Sequence, residues 1–249
     1  MRIAVTGKTG AGQTTVTALL AMAAAAAGYQ VLAVDSDPSP NLGLSLGIDP
    51  AVAAAARTVP RALATGRAGG AVTAAQVVSG YGLPTPTGVT LLQAMPAGDE
   101  VAGCGCPAHS STRSVLAAAL DEQADLAVVD LEGGLDHLDR PAGTLAHVDL
   151  LLVVAEASRK SLASAARAVG QARANGIDRV AAVGNKARPA DGDHAAFAAF
   201  AAHHAVDLAA VLDWSEDVFE ADRAGRGLQL WPGPVADAAT ALAQAAGVR

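Results

Sequence analysis

Positive charge is scarce in this chain. Seventeen Lys and Arg stand against 24 Asp and Glu, a formal net charge of −7. That balance gives no electrostatic basis for general binding to nucleic acid or to anionic membrane surfaces. Aromatic residues are only 3% of a chain that is 51% hydrophobic, so the core must be close-packed aliphatic layers, much of it alanine. With two cysteines a disulfide-stapled scaffold is excluded. The first apolar run is a short strand rather than a signal peptide, so the expected location is cytoplasmic, with reduced thiols. Ala18 to Ala27 is apolar but too short and small-sided to span a bilayer, and reads as a buried helix. The tail from Val235 to Val248 lacks the basic amphipathic face of a membrane-surface helix. A chain of 249 residues can bury one substantial core, and a single domain over 1–249 is expected.

Strand-like and helix-like segments alternate almost to the end, the pattern of a mostly parallel, doubly wound α/β sheet with helices on both faces. Expected strands are Ile3 to Thr6, Val31 to Asp35, Thr90 to Gln93, Leu126 to Asp130, Leu150 to Val154, Val180 to Val183 and Asp207 to Val211. A helix is expected over Ser158 to Asn175, where Asn175-Gly176 forms a stop. Asp49 to Gly88, rich in Ala and Gly and carrying Pro60, Pro84 and Pro86, is less regular; short helices or an excursion both fit it.

One further absence is local. Gly7-Lys8-Thr9-Gly10-Ala11-Gly12-Gln13-Thr14-Thr15 follows a short β-prone run and precedes an Ala/Leu-rich helical stretch. Strand, glycine-rich loop and helix make a phosphate cradle, with backbone N–H groups and the helix N-terminus facing the anion. The P-loop pattern G-x-x-x-x-G-K-[ST] needs Gly7, Gly12 and Thr14 where they stand, but it needs Lys where this chain has Gln13. Lys8 stands at the front of the loop instead. A dinucleotide fingerprint would need glycine where Thr15 stands, and is set aside.

Three strand ends carry further polar groups. Val34-Asp35-Ser36-Asp37-Pro38 puts two acids at the carboxyl end of a strand, where they can orient water or hold Mg²⁺; an Asp-Pro turn with solvated carboxylates fits equally well. Leu126 to Asp130 is an apolar strand ending in acid, the Walker-B arrangement that supplies an Mg²⁺ contact. It runs into Leu131-Glu132-Gly133-Gly134, whose glycines permit a loop that moves with the γ-phosphate. Asn185, in Gly184-Asn185-Lys186, has an amide suited to a purine edge, or only to a strand-end turn.

Cys104-Gly105-Cys106, followed by His109, offers two thiolates to a soft metal such as Zn²⁺. A closed site needs His109 and another group, or the same motif from a second chain about a two-fold axis. Unreactive loop cysteines are the alternative.

Together these motifs resemble the MinD/ParA-like ATPases, whose deviant Walker-A loop carries a lysine where Lys8 stands. Within that group they are similar to the CooC-type maturation ATPases of carbon monoxide dehydrogenase, from Met1 to about Gly227. Asp35-Ser36-Asp37, Cys104-Gly105-Cys106, Asp130 to His137, Gly184-Asn185-Lys186 and Glu220 to Arg223 carry the likeness. The resemblance implies a single P-loop NTPase domain that binds ATP or ADP through residues 7–15 and forms a homodimer. It implies Lys8 reaching the partner's nucleotide, Mg²⁺ held by Thr14, Asp35 and Asp130, and Asp37 polarising the attacking water. It also implies Zn²⁺ or Ni²⁺ on Cys104 and Cys106 at the dimer interface, with nickel passed to a carbon monoxide dehydrogenase-like client.

The family loop reads Lys-Gly-Gly-x-Gly-Lys-Thr-Thr, and this chain departs from it twice. Gln13 removes a charge-assisted contact worth about 1.5–3 kcal/mol, and hydrolysis should suffer more than binding. Thr9 replaces a glycine, which strains the backbone if that position needs φ > 0. The expectation is therefore a slow ATPase or, alternatively, a catalytically weak nucleotide-binding scaffold.

Overall fold

The structure is a computed structural model in which residues 1–37, 39–60, 73–94, 124–133 and 148–248 are described. In chain order the strands are β1 (Arg2–Gly7), β2 (Val31–Asp35), β3 (Leu83–Pro84), β4 (Thr90–Gln93), β5 (Leu126–Asp130), β6 (Leu150–Ala155), β7 (Val180–Ala187) and β8 (Asp207–Asp213). They form one sheet in the order β3-β4-β2-β5-β1-β6-β7-β8. Every pairing is parallel except the short β3–β4 edge. All seven expected strands are present; β3, only two residues long, is the addition.

The helices are α1 (Gln13–Ala26), α2 (Leu42–Ser45), α3 (Pro50–Ala54), α4 (Ala74–Tyr81), α5 (Arg159–Ala174), α6 (Asp193–His204), α7 (Glu216–Arg223) and α8 (Pro234–Ala245). Period-two alternation along the strands sorts the core into two layers. Ile3, Val5, Leu150 and Leu152 face α1 and α8, packing on Leu19, Leu20 and Leu242. Ala4, Leu151 and Val153 face the other way, onto Ala165 and Val169 of α5 and Phe197 of α6. Strands covered on both faces read as continuous apolar runs, which is why β2, β5 and β6 are buried throughout.

Local signals set the helix limits. Ser158 caps α5, its hydroxyl accepting from Ser161 N, and Gly176 ends the helix at φ 76°. In the irregular stretch before β4, Thr73 and Gln76 form a reciprocal capping box that starts α4. Helix α8 spends its apolar face on the core through Ala239, Leu242 and Ala243. Among the described residues no helix is long and apolar enough to cross a membrane.

Candidate functional site

The carboxyl ends of β1, β2, β5, β7 and β8 open onto a cavity of 740 Å³. Its floor is the loop from Gly7 to Thr15. Gly10 and Gly12 take φ 88° and 91°, a region in which a Cβ is strained. Thr9 is not among the residues with positive φ, so the strain expected there is absent. Its hydroxyl instead lies against Gly133: a Cβ on that glycine would come within 2.7 Å of Thr9 Oγ1. The loop after β5 therefore passes close over the phosphate loop because residue 133 has no side chain.

Gln13 begins α1 and is 8% exposed. Its amide is satisfied at both ends when Oε1 accepts from Gly7 N at 3.0 Å and Nε2 donates to Gly7 O at 3.3 Å. The side chain thus folds back on the end of β1 and brings no cation to the cradle. Lys8 is exposed.

Beneath the loop sit two buried carboxylates on adjacent strands, Asp35 and Asp130, which are register partners. Thr14 Oγ1 donates to Asp130 Oδ2 at 2.7 Å, and Thr17 Oγ1 to Oδ1 at 3.3 Å. Burial pushes the Asp130 carboxyl well above the usual range, and the Asp35 charge adds to this. Burial likewise raises Asp35, to about 6, although backbone N–H groups oppose the shift. Its two oxygens accept from Asp37 N at 3.1 Å and Leu42 N at 2.9 Å, shaping the chain that follows β2. Asp37, beyond it, lines the cavity and accepts from Ser39 N at 2.7 Å. The Thr14–Asp130 pair fits Mg²⁺: a hydroxyl and a carboxylate converge at the phosphate end, and both are hard oxygen donors.

The β7 end supplies a brace. Asn185 Nδ2 donates to Ala11 O at 2.8 Å, tying the end of β7 to the loop. Lys186 Nζ donates to Gly10 O at 2.6 Å and pairs with Glu156 Oε1 at 2.8 Å. Lys186 and Glu156 went unassigned in the sequence; the adjacent Asn-Lys at a strand end was the available signal. The far wall is Leu212, Trp214, Val218 and Phe219, from β8, α7 and the turn between them, an apolar surface. Cys104, Cys106 and His109 lie outside the described residues, as do Pro38 and Gly134 to His137.

A phosphate loop between a central parallel strand and a buried helix, with Thr14 on a strand-end acid, is the P-loop arrangement. Residues 3–228 match the family described as the CobQ/CobB/MinD/ParA nucleotide binding domain. The chain belongs to that family. The resemblance read from its motifs ended at nearly the same residue. The MinD/ParA-type domain is 34% identical over 205 residues to the carbon monoxide dehydrogenase accessory protein CooC of Rhodospirillum rubrum, covering 77% of this chain and 76% of that protein. It is 29% identical over 202 residues to an ATP-binding protein of Methanocaldococcus jannaschii, covering 77% of each. Among solved structures, the MinD cell division protein of Aquifex aeolicus superposes with a TM-score of 0.74 at 18% identity, over 100% of this chain and 97% of that one. The cell division ATPase MinD of Pyrococcus furiosus gives 0.72 at 23%, over 99% and 98%. At these identities the structural likeness establishes the fold alone.

Proposed function

We propose that this MinD/ParA-type domain is a slow Mg²⁺-dependent ATPase that acts as a CooC-type maturation factor. It takes ATP and ADP, works as a homodimer, and carries Zn²⁺ or Ni²⁺ on Cys104 and Cys106 toward a carbon monoxide dehydrogenase-like client in the cytoplasm. The observation that carries the nucleotide part is a cavity lined by the 7–15 loop and Thr14, with Asp130 buried directly behind Thr14. The kinship with CooC supports the client and the metal cargo.

In this reading the Gly12 N–H and the α1 N-terminus receive the phosphates, and Thr14 and Asp130 hold the metal ion. Mg²⁺ bound there neutralises charge on the transferring phosphoryl. Asp37, at the cavity edge, orients water toward the γ-phosphorus, and Gly133 lets the loop after β5 close over the phosphate. Lys8 extends into solvent from the loop front, free to reach a second subunit's nucleotide.

A second reading is favoured by one specific observation, the seat of Gln13 on Gly7. With no cation at that place, the domain would bind nucleotide as a scaffold without effective turnover. Anaerobic ATP hydrolysis with Mg²⁺, beside an Asp37→Ala variant, tests both. Turnover lost in the variant with ADP binding kept supports the ATPase. Turnover unchanged by Asp37→Ala removes that residue's role. Tight binding without turnover in either protein leaves the scaffold.

A further inference from the structure

A cavity for a polyanion needs counter-charge, and position 13 carries a neutral amide turned onto Gly7. Among the described residues lining the cavity Lys186 is the one cation, set against the acids Asp37, Glu132, Asp213 and Asp222. The backbone is contorted where it stands. Lys186 has φ 56°, a left-handed conformation disfavoured for any residue with a Cβ. Such outliers persist where surrounding contacts over-determine them, often at ligand sites. Here the contacts are the Gly10 carbonyl at 2.6 Å and Glu156 at 2.8 Å.

Lys186 also acts with its neighbour. Asn185 holds the Ala11 carbonyl as Lys186 holds that of Gly10, so two successive carbonyls of the loop are drawn to the β7 side. Peptide planarity then turns the Gly12 N–H the other way, toward the space above the loop. The Lys186 side chain is 39% exposed and the residue lines the cavity.

We propose that Lys186, held by Glu156, is the positioning cation that compensates for Gln13, fixing the Gly10 end of the phosphate loop and supplying the positive potential missing at position 13. This rests on the nucleotide reading above. It concerns a residue 176 positions from Gly10, brought to the loop only by the fold.

Titration calorimetry of the full chain with Mg²⁺-ADP and with AMP tests it, using wild type, Lys186→Met, Lys186→Arg, Gln13→Lys and the Gln13→Lys/Lys186→Met double variant. Removing the ammonium should weaken ADP binding roughly tenfold, the effect of one charge-assisted contact, with a smaller loss for AMP. Lys186→Arg should keep most of the affinity. In the Gln13→Lys background the loss should shrink to about twofold, because two cations serving the same bound phosphates are not additive. An equal loss in both backgrounds would make Lys186 a loop brace only and overturn the compensation. Unchanged ADP affinity overturns the proposal, as does an equal loss for ADP and AMP, which would place Lys186 at the base. An Arg variant as weak as the Met variant also overturns it, since charge would then not be what matters. A wild type that binds neither nucleotide sinks the nucleotide reading itself, and this inference with it.

Discussion

Restoring lysine at position 13 should change stability and affinity in opposite directions. Gln13 is 8% exposed and its amide is matched to both polar atoms of Gly7. A lysine there exchanges two neutral hydrogen bonds for an ammonium near the carbonyls of Gly7 and Leu131. With no anion bound that charge is under-solvated, at a cost of about 1–2 kcal/mol. For a domain of this size each kcal/mol lowers Tm by about 2–4 °C, so nucleotide-free Gln13→Lys should melt some 2–8 °C below wild type. With ADP present the same ammonium meets the β-phosphate, and a charge-assisted contact returns about 1.5–3 kcal/mol, a ten- to hundredfold gain in affinity. Saturating Mg²⁺-ADP should therefore raise Tm further in the variant than in wild type. Thermal melts with and without Mg²⁺-ADP, paired with direct Kd values, make the comparison. A variant that melts no lower without nucleotide, and binds ADP no tighter, would refute the idea that position 13 faces the phosphate.

Other outcomes follow from the same geometry. Asp35 is raised from an ordinary 3.8 to about 6 by burial, so the folded state holds its proton more tightly than the unfolded one. Its ionisation then destabilises the fold as pH rises from about 4 through about 6, by up to about 3 kcal/mol. Urea unfolding at pH 5 and pH 7 should show that this pH dependence shrinks in Asp35→Asn; an unaltered dependence would show Asp35 is not its source. Gly12→Ala should cost about 1–2 kcal/mol from its φ of 91°. It would also push Asn185 Nδ2 off the loop, since the new Cβ would lie 2.1 Å from it; ADP affinity as in wild type would argue against the brace. Replacing Cys104 and Cys106 by serine should abolish bound Zn²⁺ or Ni²⁺ measured by metal analysis, and stoichiometric metal in that variant would exclude the thiolate site. Asp130→Asn should leave the fold but weaken Mg²⁺-dependent ADP binding about tenfold or more, by loss of a charged ligand. Equal binding with and without Mg²⁺ in both proteins would remove that role.

Much of the frame was legible because its determinants are local. Five of the seven expected strands are closed by a polar residue or run into glycine, and a parallel sheet buried on both faces keeps such apolar runs intact. The β3 strand escaped because two residues antiparallel to β4 leave no period to read. Helix α4 left a signal, the Thr73-x-x-Gln76 capping box, in a stretch too rich in Ala and Gly for its hydrophobic pattern to show. Whether Thr9 is strained was open in the sequence, because spacing gives the loop's composition, not which peptide takes the left-handed turn; Gly10 and Gly12 take it instead.

The sequence by itself determined the phosphate loop, because the spacing of Gly7, Gly12 and Thr14 between a strand and a helix is a contact of neighbours along the chain. It also determined that the loop's usual cation is missing. Only the tertiary structure decided what surrounds that gap: Asp130 under Thr14, Asn185 and Lys186 on successive loop carbonyls, and Asp35 turned into the backbone after β2. Those partners lie on strands that meet through the order β2-β5-β1-β6-β7, and sheet order is fixed by how the two apolar layers pack, not by any residue pattern within one strand.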